Sequence, residues 1–198
     1  MANNNQIYKI SNAGGFKSLN RYYDMLAGNP VFVDTSYDSI QTVTVGSGGQ
    51  STISFTSIPQ TYRHLQLRAI AKTVSNDQGV FLQFNGDTAA NYSSHYLYGN
   101  GASPIAGANT TWAGMYCSPT FSSQFSGLVV DILDYANTNK FKTIRSIAGV
   151  DNNGSGYATL ASGNWRNSNA ITSISIKEIL ANSNFTQFSH FALYGIKG

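Results

Sequence analysis

Eight aspartates, one glutamate (Glu178), three histidines and one cysteine are the residues of this 198-residue chain that could move protons, ligate a metal or attack an electrophile. Hydrolysis needs a carboxylate pair, or a nucleophile with a base and a group that orients the base. Asp131 and Asp134 fall in one expected strand at a spacing that points them to opposite faces. Asp34 and Asp38 share a parity but lie in a segment that reads as a linker. Asp77, Asp87 and Asp151 sit in turn sequences, where aspartate serves the backbone. Carboxylates from distant strands could still pair as in a glycosidase. His64, His95 and His190 each lie in an expected strand, with no histidine or carboxylate two residues away to complete a metal site. Cys117, between Tyr116 and Ser118, has no basic neighbour to lower its pKa and reads as a packed thiol. The glycine-rich pieces GSGGQ and GNGASPIAG lack the Gly-Lys-Ser/Thr and the following helix of a phosphate loop. These residues predict no catalytic centre, no metal and no cofactor.

Recognition without reaction is better supplied. Neutral sugars are held by aromatic faces together with amide and hydroxyl groups. Tyr96, Tyr98, Trp112, Tyr157, Trp165 and Arg166 fall near loops or strand ends, with Asn100, Asn152, Asn164 and Asn167 beside them. Where exposed, they would form an aromatic and amide surface for a glycan. The competing role for each aromatic is the core of a sandwich.

The elements that must position these residues are strands. Aromatics make up 13% of the chain and charged residues only 11%, against about a quarter charged in an ordinary soluble domain. Serine, threonine, asparagine and glutamine account for 69 of the 198 residues. This composition excludes a disordered chain, a coiled coil and a helical bundle. Residues 40–46 and 51–58 alternate apolar and polar around a GSGGQ turn. In 63–72, Leu65, Leu67, Ala69 and Ala71 take one face and His64, Gln66, Arg68 and Lys72 the other. Further strands are expected at 79–85, 92–98, 112–117, 125–134, 141–150, 156–162, 170–178 and 188–196. Residues 99–111 read as a long loop of small residues. Asp151-Asn152-Asn153-Gly154 reads as a turn. The expected fold is all-β: a jelly-roll-like antiparallel β-sandwich at 39–198, with an extended N-terminal arm at 1–38 containing a short helix.

The arm carries its own signals. Ser18 can cap a helix, Gly28 suits its C-terminal end and Pro30 follows. Leu19, Tyr22, Met25 and Leu26 fall on one face of that helix. With Tyr23, Val31 and Phe32 they form an apolar segment too short to stand alone, expected to dock on its own domain or on a partner.

Net charge is +3, and the basic residues are scattered. Lys140, Lys142 and Arg145 are the densest group, not the stripe of a nucleic-acid footprint. No apolar run reaches the roughly 20 residues of a membrane span. MANNNQIYKI has neither the basic nor the apolar region of a secretory signal, so folding in a cytosol is expected.

Six segments together resemble a known family. They are GGFKSLNRYYDMLAGNPVFV (14–33), TVTVGSGGQSTISFTSIPQTYRHLQLR (42–68), FNGDTAANYSSHYLYGNG (84–101), VVDILDYANTNKFKTIRSIAGVDNNGSG (129–156), SGNWRNSNAITSISI (162–176) and FALYGIKG (191–198). The chain resembles small virion structural or tail-fibre-like proteins of tailed phages infecting marine bacteria and cyanobacteria. The resemblance implies a virion location, assembly in the host cytoplasm and capsid, neck or tail partners. It also implies a homo-oligomer, with trimers common among such appendages. It supplies no catalytic residues.

Overall fold

Alternation of apolar and polar residues writes itself directly into the structure, a computed structural model that describes residues 26–27, 36–75, 78–178 and 183–198. The chain divides into two units, Met1–Thr35 and Ser36–Gly198. The second holds twelve strands: β1 (Tyr37–Thr44), β2 (Thr52–Phe55), β3 (His64–Ala71), β4 (Gln78–Phe84), β5 (Tyr92–Gly99), β6 (Pro104–Asn109), β7 (Met115–Thr120), β8 (Ser126–Leu133), β9 (Lys142–Asp151), β10 (Gly156–Trp165), β11 (Ile174–Glu178) and β12 (His190–Ile196). In β9 the buried and exposed positions alternate over nearly its whole length, as expected for a strand with one face in a core and the other in solvent.

All strand pairs are antiparallel, and they form two sheets. The larger has eight strands in the order β1-β12-β3-β8-β9-β10-β5-β6, the smaller four in the order β2-β11-β4-β7. The core lies between them. Leu65, Leu67, Val130, Ile132 and Ile144 enter it from the large sheet, and Ile53, Phe55, Leu82, Phe84, Ile174 and Ile176 from the small one. β9 and β10 form a hairpin through the predicted turn, with Asn153 at φ 50° and Gly154 at φ 97°. Asparagine and glycine tolerate this left-handed conformation better than other residues. Among the described residues no helix is long and apolar enough to cross a membrane.

Two expectations are corrected. Residues 99–111 are not all loop, because β6 pairs with β5 along the outer edge of the large sheet. Its sequence, PIAGAN, is poor in strand formers, and its neighbour supplies what the sequence lacks. Gly107 lies opposite Tyr96, whose ring occupies the place of the missing side chain, and a Cβ there would meet that ring at 2.5 Å. Aromatic cover of an edge glycine is a recognised way to hold such a strand. The second correction is to β10, which runs past residue 162 to Trp165. Of the expected anchor residues only Leu26 lies among those described, and it is 62% exposed. Leu19, Tyr22, Tyr23, Met25, Val31 and Phe32 lie outside them.

Candidate functional site: an aromatic cleft at the sandwich edge

The inequality of the sheets creates the site. The small sheet ends at β7, which packs over β9, β10 and the near side of β5. Beyond β7 the inner face of β5 overhangs. Tyr96 and Tyr98 stand on that face, in the same parity as buried Tyr92 and Ser94. Their rings stack at 6.2 Å and 22°. Tyr157, at the start of β10, meets Tyr98 edge-on at 5.2 Å and is backed by Phe121 at 5.3 Å.

The opposite wall comes from β7 and the loop before it. β7 carries an irregularity in which Val80 pairs with Ser118 but Phe81 pairs with Tyr116. One extra residue, Cys117, is thereby accommodated, and a bulge of this kind changes which side chains face the core. Tyr116 shares a face with Phe81 and reaches Tyr96 at 5.0 Å. Two bonds seat β7 on the large sheet: the Tyr116 N–H donates to Ser94 Oγ at 3.0 Å, and Ser146 Oγ donates to the Cys117 carbonyl at 2.8 Å. In β10 opposite, Gly163 permits the approach, since a Cβ there would stand 2.8 Å from Met115 Cβ. Asn109 shapes the loop, its Oδ1 accepting from the N–H groups of Thr111 (2.9 Å) and Trp112 (2.8 Å). This turn holds the Trp112 ring 4.9 Å from Phe81.

Tyr96, Tyr98, Trp112, Tyr116 and Tyr157, with Gly79 and Pro119, line an open cleft of about 320 Å³. That volume is at the lower end of small-molecule sites. Among the described residues the lining holds aromatic faces and phenol hydroxyls, and no carboxylate, imidazole, amine or thiol. Burial, with the neighbouring Cys117 and tyrosines, pushes the Tyr116 phenol well above its ordinary pKa. It therefore stays neutral, a donor and acceptor of hydrogen bonds. Such a surface can stack on the apolar face of a ring and bond to hydroxyls around its rim.

Four of the six residues expected to bind a glycan thus converge: Tyr96, Tyr98, Trp112 and Tyr157. Trp165 does not join them. It is 1% exposed, at the opposite end of β10 from Tyr157 and in the inward parity of that longer strand. Its ring stacks on Tyr92 at 6.4 Å and meets Phe84 edge-on at 5.6 Å, and its Nε1–H donates to Asp87 Oδ2 at 2.7 Å. Arg166 is exposed, but its guanidinium donates to the carbonyls of Tyr92 and Ala90 and so clips the chain ahead of β5. The asparagines are also used elsewhere. Asn100 and Asn167 accept from backbone N–H groups of their own turns, and Asn164 donates to the Lys142 carbonyl. Tyr116 and Phe81 face each other across β7 and β4 on the parity away from core Met115 and Leu82; they escape sequence reasoning because that parity becomes a cleft wall only where the small sheet ends.

Several ionisable residues are tied to neighbours. Asp134 pairs with Arg63 at 2.8 Å and with Lys140. His64 Nδ1 accepts the Asp134 backbone N–H at 2.9 Å, so this nitrogen offers no N–H for the adjacent carboxylate to orient. Asp131 pairs with Arg145 at 2.8 Å. Among the described residues no three His, Cys, Asp or Glu side chains gather where they could hold a metal ion. Comparison with known proteins finds no matching family model, no matching curated protein and no matching solved structure.

Proposed function

We propose that the chain is a phage virion surface protein, a tail or neck fibre component or a capsid decoration, whose β-unit contributes to host attachment by holding a neutral surface glycan. The single observation that carries the binding role is the cleft lined by five aromatic side chains, four of them with phenol hydroxyls. The virion role is supported by the family resemblance and by a composition rich in neutral polar residues. In this reading the segment containing Leu19, Tyr22, Tyr23, Met25, Leu26, Val31 and Phe32 fastens the unit to other virion proteins. The reading is one of binding, supported by the aromatic faces and phenol hydroxyls of the cleft, which suit stacking and hydrogen bonding to a ligand ring. A jelly-roll-like winding is supported by the nested pairing of β1 with β12, β2 with β11, and β3 with β8 around β4 with β7.

The test is a glycan array read with the full chain, followed by calorimetry on the best ligand. The wild type should bind uncharged oligosaccharides. Trp112→Ala and Tyr98→Ala should each weaken binding about tenfold or more, as truncation of a stacked aromatic does. Trp165→Phe, away from the cleft, should bind as the wild type does while melting earlier. A wild type that binds no glycan, or Trp112→Ala and Tyr98→Ala variants that bind with full affinity, would refute the glycan role.

A further inference from the structure

The cleft lies on the inner side of the large sheet, but the outer side of the same sheet also carries an unusual surface. Cross-strand neighbours Val129, Ile147, Leu160, Leu97 and Ala106 form one continuous apolar row over β8, β9, β10, β5 and β6. Ile147, Leu160 and Leu97 are 66%, 53% and 50% exposed. The row beside it is Gly127, Gly149, Ala158 and Gly99, joined by the same registers, and is nearly without side chains. The apolar row therefore stands as a ridge with shallow hollows along it. One of about 450 Å³ lies by Leu97, Leu160, His95 and Arg145, one of about 440 Å³ by Ile147, Ala158 and Pro104, and one of about 500 Å³ by Val129, Gly149 and Arg68.

Isolated exposed apolar residues are ordinary, but a contiguous patch of this extent marks an interaction site. We propose that the outer face of β8–β9–β10–β5–β6 is where a second copy of this chain docks. Three observations favour that occupant. First, the face carries both ridge and hollows, so a two-fold operation seats the ridge of each copy in the hollow of the other, as an isologous interface requires. Second, the centre of the face carries no charge; at its border Asp131 and Arg145 pair with each other, while Arg68, beside Val129, bonds to the neutral Gln66 and lies over the Tyr37 and Tyr194 rings. Asp131 accepts from Gln66 at 2.8 Å and from Arg145 at 2.8 Å, and Arg68 donates to Gln66 Oε1 at 2.7 Å. An uncharged apolar face is the complement of this centre, and a second copy supplies one. Third, the five strands from β8 to β6, about 4.8 Å apart and about eight residues long, cover about 650 Å². This approaches the roughly 800 Å² that each partner gives to a standard interface.

The inference does not depend on the glycan reading, because Tyr96 and Tyr98 face the other side of the sheet. Sedimentation velocity on the full chain tests it. The wild type should associate at about 100 µM, in the range where modest interfaces form. Ile147→Lys and Leu97→Asp, each placing a charge on a half-exposed position of a different strand, should weaken association at least tenfold while keeping the wild-type circular dichroism. Hydroxyl-radical footprinting of the wild type provides a check without variants, in which Leu97, Ile147 and Leu160 become more protected as concentration rises. A wild type that stays monomeric overturns the proposal. So does an oligomer that survives both substitutions or leaves those three side chains as reactive as in the dilute protein, since the contact then lies on another surface such as the β6 edge or the N-terminal segment.

Discussion

Lys142 carries an ammonium into a position with 0% exposure. Its Nζ donates to three backbone carbonyls, those of Asn137 (2.6 Å), Lys140 (3.0 Å) and Ser168 (2.9 Å). A buried charge survives only when its donors are satisfied, and here they tie the β8–β9 turn to the chain after β10. Lys142→Met keeps the bulk but leaves the carbonyls unbonded, and should lower the unfolding free energy by about 2–4 kcal/mol, measured by urea denaturation. Aspartates set the acid limit. Burial raises the Asp87 pKa, but hydrogen bonds from Asn91, Trp165 and the Ala89 N–H hold it below the ordinary value. Asp131 is likewise held low, by Gln66 and Arg145 against burial. As pH falls, the unfolded chain takes up these protons first. The stabilisation is therefore complete above about pH 5 and is lost as pH drops through the depressed native values. The urea midpoint should fall steeply below about pH 4, and Asp87→Asn should flatten that fall. Glu178 has the opposite sign. It is buried, and burial pushes its carboxyl up, with the Ser183 and Thr73 hydroxyls pulling the other way. Glu178→Gln should stabilise the protein at pH 8, with an advantage that shrinks as the pH approaches 5.

At the scale of the element, β7 decides the site. Tyr116 alternates with core Met115 and Cys117 and so reaches the cleft at the edge of the small sheet, and the approach of β7 to β10 depends on the bare backbone of Gly163. A methyl at Gly163 collides with Met115 Cβ, an atom that cannot swing away without moving the strand. Gly163→Ala should cost about 1–3 kcal/mol in unfolding free energy, like other overpacked sites, and should weaken ligand binding by displacing Tyr116. Gly107→Ala acts on an exposed edge strand and meets the Tyr96 ring, so it should lower ligand affinity while leaving the urea midpoint nearly unchanged. Comparing the two variants separates loss of the strand from loss of the ring position.

At the scale of the whole molecule, eight strands facing four leave the inner side of β5 open from Tyr96 onward, and the outer side of the same sheet carries the apolar row. All twelve strands of the described residues lie within residues 36–198. On the proposed virion role, removing 1–33 should leave the β-unit folded, read by circular dichroism, while ending incorporation into particles, read by quantifying the protein in purified virions. Because the cleft lining is neutral, glycan affinity should vary by less than about twofold between 50 and 500 mM salt, where charge-driven binding would fall steeply.

The sequence by itself determined the fold class and most strand positions, because alternation along eight or so residues is a local property that burial of one face imposes. It also marked Tyr96, Tyr98, Trp112 and Tyr157 as candidates, since an aromatic beside a turn is visible in one dimension. What it could not do was separate Tyr157 from Trp165 along β10. Every second residue of that strand points inward, and only the partner sheet decides which of them is covered. Tyr157 lies beyond the end of the small sheet and lines the cleft, while Trp165 lies beneath the β4–β5 connection and is sealed by Phe84, Tyr92 and Asp87. β6 was hidden for a similar reason. Pro, Gly and Ala have little strand preference of their own, and the Tyr96 ring that holds them comes from another strand. Only the tertiary structure decided these points, because covering a side chain requires atoms from residues distant in the chain. Their arrival depends on sheet width and on two bare glycines.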